Sequence, residues 1–485
     1  MSRLKVCMLS SEMMPYAKTG GLADVTGALF AELASRKLEV RAFMPLHSSV
    51  RSAPWDFKPV AGLQSIPMTL GTHRYVYSVQ AVQYPGTELP VYFIDCPALF
   101  NRPTLYTSDP DEHRRFLLFT RAAIESCQRL EFAPNVFHCN DWHTAILPLY
   151  LRTIYSSDRA LAQSRSVLTI HNIGYQGIMP SSAASDLGLG QGEAFLDRDD
   201  LRYSIINPLK TGIKFADAVT TVSPTYAREI CDGPLGMGME EALRARPDGV
   251  TGILNGVDYA DWDPRHDRHI ERHFDPQHLA GKLANKHRLL AKGALHIADT
   301  APLLSIVSRL TDQKGFELLF DVMPAILETR DCGLTVLGSG DARYVSFFKD
   351  LAAKYPGRVA FHSGYDEPLA HLIEAGSDIF LMPSRYEPCG LNQMYSLRYG
   401  TIPIVHKTGG LADSVQHFDP ASGQGTGCVF NDFDAAAARW ALDTTLDWYA
   451  HRPSWQRLMQ NAMAQDFSWG RQVGLYLELF EQIAA

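Results

Sequence analysis

A chain of 485 residues exceeds what one hydrophobic core normally spans, so two or three domains are expected. Apolar residues at 46% and charged residues at 20% describe an ordinary globular protein, and a net charge of −8 argues against a surface built to hold nucleic acid. No run of about 20 apolar residues occurs, so no membrane-spanning helix is expected.

The N-terminal stretch MSRLKVCMLSSEMMPYAKTGG has too short an apolar run for a signal peptide, and Leu4 to Leu9 reads as a first buried strand. EVRAFMP, LPVYFID, NVFHCN, SVLTIHN and AVTTVS follow as short, β-branched runs bounded by turn residues, the pattern of buried parallel strands. TRAAIESCQRL and AILPLYLRTIY, between them, have helical spacing, whereas residues 181–200 (SSAASDLGLGQGEAFLDRDD) read as a loop-rich excursion. A second series, LLSIVSRL, CGLTVLGSG, RVAFHSG, DIFLMPS and TIPIVHKTGG, starts beyond a polar stretch from Gly252 to about Thr300. Alternating strands and helices predict an α/β fold with parallel sheets. The boundary falls near 250–265: residues 1–255 and 256–465 are expected as two Rossmann-like, doubly wound domains facing each other across a deep cleft. Ligands of such sheets bind outside the carboxyl ends of the strands. Residues 466–485 close the chain with Trp469, Val473, Tyr476, Phe480 and Ile483 at helical spacing, an amphipathic helix expected to pack on a domain surface. The eight cysteines are scattered without CxxC spacing, as expected of reduced thiols in a cytoplasmic protein.

Several strand ends carry chemistry-bearing residues. The heptapeptide KTGGLAD occurs twice, from Lys18 to Asp24 and from Lys407 to Asp413, each time between a strand and a helix. Glycines admit close backbone approach to a ligand, a helix start offers free N–H groups, and lysine adds a positive charge, a combination suited to phosphate. It is also the composition of a plain turn, and the GxxxxGK[ST] pattern of a P-loop is absent. In SRLTDQKG, Arg309 and Lys314 stand at a strand end, and a guanidinium with an ammonium can clamp a diphosphate. Glu387 in PSRYEPCGLNQ follows an apolar strand, and Gly390 opens a helix. HCNDWHT and HNIGYQG place Asp141, His143, His171 and Asn172 at strand ends of the first half. HExxH does not occur, so catalytic zinc is not expected.

In their order, KTGGLADV, HCNDWHT, HNIGYQG, NGVD, SRLTDQKG, GSGD and EPCGLNQMYSLRYGTIPIV resemble bacterial glycogen synthases and plant starch synthases over essentially the whole chain. With no transit peptide ahead of the first motif, the bacterial form is the nearer likeness. The resemblance implies the GT-B architecture and retaining transfer of glucose from ADP-glucose to the non-reducing end of an α-1,4-glucan such as glycogen or a maltooligosaccharide. It implies that Lys18, Gly20 and Gly21 contact the donor phosphates, and that Arg309 and Lys314 hold the diphosphate, assisted by backbone N–H groups of Gly390, Leu391 and Asn392 beside Cys389. Tyr365 would stack near adenine, Asp141, His171, Asn172 and Asn255 would surround the glucose, and Glu387 would position it. No metal or cofactor is expected, since lysine and arginine supply the counter-charge. The chain departs from many relatives at Asn392, His406 and Pro208, and carries Tyr395 where related glycosyltransferases have a second glutamate. A pyridoxal-phosphate-dependent glucan phosphorylase, a synthase using UDP-glucose and a silent glucan-binding protein are the competing readings. Oligomeric state stays open.

Overall fold

The computed structural model describes residues 3–36 and 38–485, without the side chains of 191 and 192; Met1 and Ser2 of the N-terminal reading lie outside the described residues. Two compact units emerge. The first comprises Met1–Val222, Ala227–Gly256 and Trp469–Ala485, the second Ser223–Tyr226 and Val257–Ser468.

The first unit is built on strands β1 (Lys5–Leu9), β2 (Glu39–Pro45), β3 (Lys58–Pro59), β4 (Ile66–Leu70), β5 (His73–Gln83), β6 (Pro90–Asp95), β7 (Val136–Asn140) and β8 (Arg165–Ile170). A two-residue pair, β9 (Met179–Pro180) with β10 (Ile205–Ile206), stands apart, and β11 (Ala218–Thr221) and β12 (Thr251–Gly252) complete the sheet. The sheet order is β12-β11-β8-β7-β1-β2-β6-β5-β3, with β4 on β5. From β12 to β6 every pairing is parallel, and only the β3–β6 edge is antiparallel. That edge went unread in the sequence: β5 leaves alternate residues exposed or half-buried along much of its length, so it lacks the continuous apolar run of a strand covered on both faces.

The second unit holds β13 (Leu303–Leu310), β14 (Gly333–Gly340), β15 (Val359–Ser363), β16 (Ile379–Met382), β17 (Ile402–His406) and β18 (Cys428–Phe430) in the order β15-β14-β13-β16-β17-β18, all parallel. Ranked by position in the chain, this is the 3-2-1-4-5-6 order of a dinucleotide-binding fold. The parallel part of the first sheet follows the same rule, reversing direction at β1. Each sheet therefore has one switch point, between β1 and β7 and between β13 and β16, where crossovers diverge and leave a crevice at the strand carboxyl ends.

The terminal helix, Trp469–Ala484, is part of the first unit's core. Trp469, Val473, Tyr476 and Phe480 are buried in one cluster with β1, β2 and helix Gly21–Ser35, and Ile483 packs at its margin. Gly256 makes this return possible, since a Cβ there would stand 2.6 Å from the Trp469 ring. The excursion at 181–200 is more ordered than its composition suggests. It forms 3₁₀ turns at Ser181–Leu187 and Gly190–Phe195, anchored by buried Asp186, which accepts from Arg114 Nε at 2.7 Å and pairs with His113 Nε2 at 3.0 Å. AILPLYLRTIY yields only one short helix, Leu147–Arg152, which follows a 3₁₀ turn at Trp142–Thr144. No helix is long and apolar enough to cross a membrane among the described residues.

Since Phe480 is fully buried in the first unit, Phe480→Ala is expected to cost about 3–5 kcal/mol. Urea unfolding followed by tryptophan fluorescence measures it; a change below about 1 kcal/mol would mean that the terminal helix is not part of that core.

Candidate active site

In the first unit the candidate residues follow β1, β7 and β8, next to the switch point. Asp141 comes directly after β7 with φ 55° and ψ −175°, a backbone region that side chains avoid. Its N–H donates to the Thr169 carbonyl at 2.9 Å, and its Oδ1 accepts from the His171 N–H at 2.7 Å, so β8 holds the strained residue in place. Burial pushes the Asp141 carboxyl up to about 7, against the two backbone hydrogen bonds from His171 and Asn172, and nearby Glu12 adds to the rise. Asn140 donates through Nδ2 to the Leu9 carbonyl at 2.9 Å, so its Oδ1 is the acceptor for His171 Nε2–H, also at 2.9 Å. Burial, with His138 close by, pushes the His171 imidazole down to about 3, so it is neutral at physiological pH. Asn172 turns its Oδ1 toward the Gly174 N–H at 3.0 Å. Asn255, just past β12, is buried with its Oδ1 unpartnered among the described residues, an open acceptor.

Glu12, which sequence reasoning passed over, connects the first KTGGLAD to this cluster. The buried Glu12 carboxylate accepts from the Thr19 N–H, from Thr19 Oγ1 at 3.0 Å and from the Tyr106 hydroxyl at 3.0 Å. Burial raises its pKa despite the N–H groups of Thr19 and Gly20 and the Tyr106 hydroxyl. The signal was present: SSE places three polar residues directly after the apolar β1. Lys18 is exposed and pairs with Asp24 at 2.8 Å, and Gly21 begins helix Gly21–Ser35.

In the second unit Glu387 is buried after β16. Its Oε2 meets Lys314 Nζ at 2.6 Å and accepts from Ser384 Oγ at 2.9 Å. Lys314 lies in a 3₁₀ turn after β13, so adjacent strands at the switch point bring the pair together. Arg309, near the end of β13, is exposed and has no carboxylate partner among the described residues. Gly390 has φ 71°, a left-handed turn that points the chain into helix Asn392–Arg398. Gln393 Nε2 ties that turn together, donating to the Cys389 and Gly390 carbonyls at 3.0 and 3.1 Å. Leu391 precedes the helix, and Asn392 Nδ2 donates to the Val307 carbonyl at 2.7 Å, so its side chain holds β13. Tyr365 stands 68% exposed in the loop after β15. Tyr395 stacks flat on Trp262, with ring centroids 4.0 Å apart, and Pro208 takes the first position of helix Pro208–Phe215, where its missing N–H costs no helical bond.

The two KTGGLAD copies differ in packing. A Cβ on Gly20 would meet nothing within 4 Å. A Cβ on Gly409 would stand 1.9 Å from the Glu387 carbonyl oxygen, and one on Gly410 2.1 Å from that of Cys389. The Gly410 N–H donates to the Glu387 carbonyl at 3.1 Å. The second copy thus buttresses the Glu387 loop through its backbone, while the first leaves its glycine open.

Gly410→Ala is therefore expected to lower stability by at least the 1–3 kcal/mol typical of overpacking, and Gly20→Ala by less than about 0.5 kcal/mol. Calorimetry of both variants checks this, and equal midpoints would refute the buttress. Asp141 supplies a pH test. Its pKa is higher folded than unfolded, so the native state binds the proton more tightly and stability falls as pH rises from about 4 to about 7. Asp141→Asn is expected to flatten that segment of the stability profile relative to the parent chain; parallel profiles would show that the buried carboxyl is not the source.

The starch synthase catalytic domain profile matches residues 5–245, and that of glycosyl transferases group 1 matches residues 290–462. The chain is 42% identical over 490 residues to a glycogen synthase of Anaeromyxobacter dehalogenans, covering 99% of this chain and 100% of the relative, and 41% identical to one of Koribacter versatilis, covering 99% and 98%. The catalytic domain of starch synthase IV from Arabidopsis thaliana, solved with ADP and acarbose, superposes with a TM-score of 0.92 at 32% identity over 100% of both chains. A sucrose-phosphate synthase from Thermosynechococcus elongatus shares the fold, with a TM-score of 0.60 at 17% identity over 99% of both chains. Two Rossmann-type units, their switch-point residues and these full-length likenesses lead to one conclusion: the chain belongs to the glycogen synthase and starch synthase family of GT-B glycosyltransferases.

Proposed function

We propose that the protein transfers glucose from ADP-glucose to the non-reducing end of an α-1,4-glucan with retention of anomeric configuration. The observation that carries this reading is the Lys314–Glu387 pair at 2.6 Å. It places a cation fit for phosphate against a carboxylate fit for sugar hydroxyls, the two halves of a sugar nucleotide. Exposed Arg309, on the adjoining strand end, adds the guanidinium fork.

In the proposed reaction the bond between the anomeric carbon and the diphosphate oxygen breaks as the acceptor 4-hydroxyl attacks from the same face. The acceptor proton passes to the departing ADP oxygen. Arg309 and Lys314 stabilise the charge growing on that oxygen, assisted by N–H groups of Gly390, Leu391 and Asn392. Lys18, with the open loop at Gly20 and the helix start at Gly21, takes the outer phosphate, and Tyr365 covers the adenine. Glu387 accepts from glucose hydroxyls, and Asn255 Oδ1, Asn172 and Asp141 complete the sugar's surroundings. A neutral His171 makes a poor proton donor, so its backbone carbonyl is assigned to the developing positive charge at the anomeric carbon. Burial disfavours an ionised Asp141, which speaks for same-face attack over a covalent intermediate on that group.

ADP release in the presence of ADP-glucose and glycogen, with UDP-glucose as the control, tests the activity. Arg309→Ala, Lys314→Ala and Glu387→Ala are each expected to reduce turnover by ~10²–10³. Lys18→Ala should impair ADP-glucose use far more than Lys407→Ala. Parental turnover in all three variants, or the reverse order of the two lysines, would refute the assignment.

A further inference from the structure

Outside the residues given a part in glucosyl transfer, Asp261, His269 and His371 in the second unit each offer a ligand atom, all within 4.8 Å of one another. His371 is fully buried in helix Glu367–Gly376, and its Nε2 has no hydrogen-bond partner among the described residues. Its Nδ1 lies 2.9 Å from Asp267 Oδ2, which also accepts from the Tyr399 hydroxyl at 2.6 Å. Asp267 is thus the acceptor, Nδ1 carries the proton, and Nε2 presents its lone pair to the cluster. A carboxylate fixing the far nitrogen of an imidazole is the usual support of a metal-binding histidine. Trp262, stacked on the His371 ring at 3.7 Å, holds the ring plane.

The surroundings favour a cation. Asp258 and Glu367 add negative potential around Asp261. Arg268 already answers it: its Nε donates to His269 Nε2 at 3.1 Å, and its guanidinium lies 3.9 Å from Asp261 Oδ1. With 74% of its side chain exposed, Arg268 is free to swing into solvent when another cation takes its place.

We propose that Asp261, His269 and His371 form a binding site for a divalent d-block ion of the zinc class. Two imidazoles and one carboxylate suit Zn²⁺ and exclude the all-oxygen shells of Mg²⁺ and Ca²⁺. Ligand atoms in a tetrahedral zinc site sit about 3.3 Å apart at bonds of about 2.0 Å. The cluster closes to that spacing by rotation of the partly exposed Asp261 and His269 onto the fixed His371. The bound ion would tie the Asp261–His269 segment to helix Glu367–Gly376. It would also set Trp262, on which Tyr395 of the helix following Gly390 is stacked. Its role is to brace the frame behind the Glu387 loop, and it takes no part in glucosyl transfer.

The test uses the full-length, untagged protein dialysed against a chelator. Zn²⁺ is titrated in competition with a chromophoric chelator, and Co²⁺ is added separately to read ligand-field absorption. One site per chain is expected, with Co²⁺ bands displaced by Zn²⁺ and a thermal midpoint raised by Zn²⁺. His269→Ala and Asp261→Ala should each weaken Zn²⁺ at least tenfold and remove the thermal shift. His278→Ala, which removes the surface His278–Asp275 pair, should leave both unchanged. Both ligand variants alter partly exposed side chains, which spares the buried His371. Absence of stoichiometric binding, or parental affinity in His269→Ala, would overturn the site.

Discussion

A carboxylate buried at the end of a parallel strand is the constraint on which this structure turns. Each such group must find donors or take up a proton, because burial penalises the charged form. Glu12, Asp141 and Glu387 follow β1, β7 and β16, and each meets the requirement differently. Glu12 gathers the N–H groups of the glycine loop, the Thr19 hydroxyl and Tyr106. Asp141 takes two N–H groups after β8 and still has its pKa raised to about 7. Glu387 takes the Lys314 ammonium and a serine hydroxyl. Removing one member of a buried ion pair typically costs 3–5 kcal/mol, so Lys314 and Glu387 depend on each other before any ligand arrives.

The repeated KTGGLAD shows how little a local motif says about its use. Both copies sit between a strand and a helix. One glycine loop is fastened from beneath by Glu12 and faces open space at Gly20. The other is pressed against the Glu387–Cys389 backbone, where only glycine fits. The difference lies entirely in what the sheet brings against each loop. The same holds for Tyr395, whose use lies in its flat stack on Trp262.

Much of the fold was legible in the sequence because strands covered on both faces must be apolar throughout. Eleven runs read as buried strands coincide with strands of the two sheets. The antiparallel edge β3–β5 escaped because it is partly solvated and alternates. The 3₁₀ turn after β7 and the ordered turns at 181–195 escaped because their shape rests on tertiary anchors such as Asp186, not on periodicity. Among site residues, charged groups and glycines at strand ends stood out. Glu12 did not, since its importance comes from the loop folded over it.

Sequence by itself determined the two α/β series and the family to which the chain belongs. Apolar patterning and turn chemistry are local, and a joint motif order is specific. Tertiary structure alone decided which strand ends are neighbours. Strand order places β7 beside β8 and β13 beside β16, and so pairs Asp141 with His171 and Lys314 with Glu387. It also returns the terminal helix to the first core and aims His371 at Asp261 and His269. These contacts join residues far apart in the chain, and no periodicity encodes them, because they follow from the hydrogen-bonded order of the sheets.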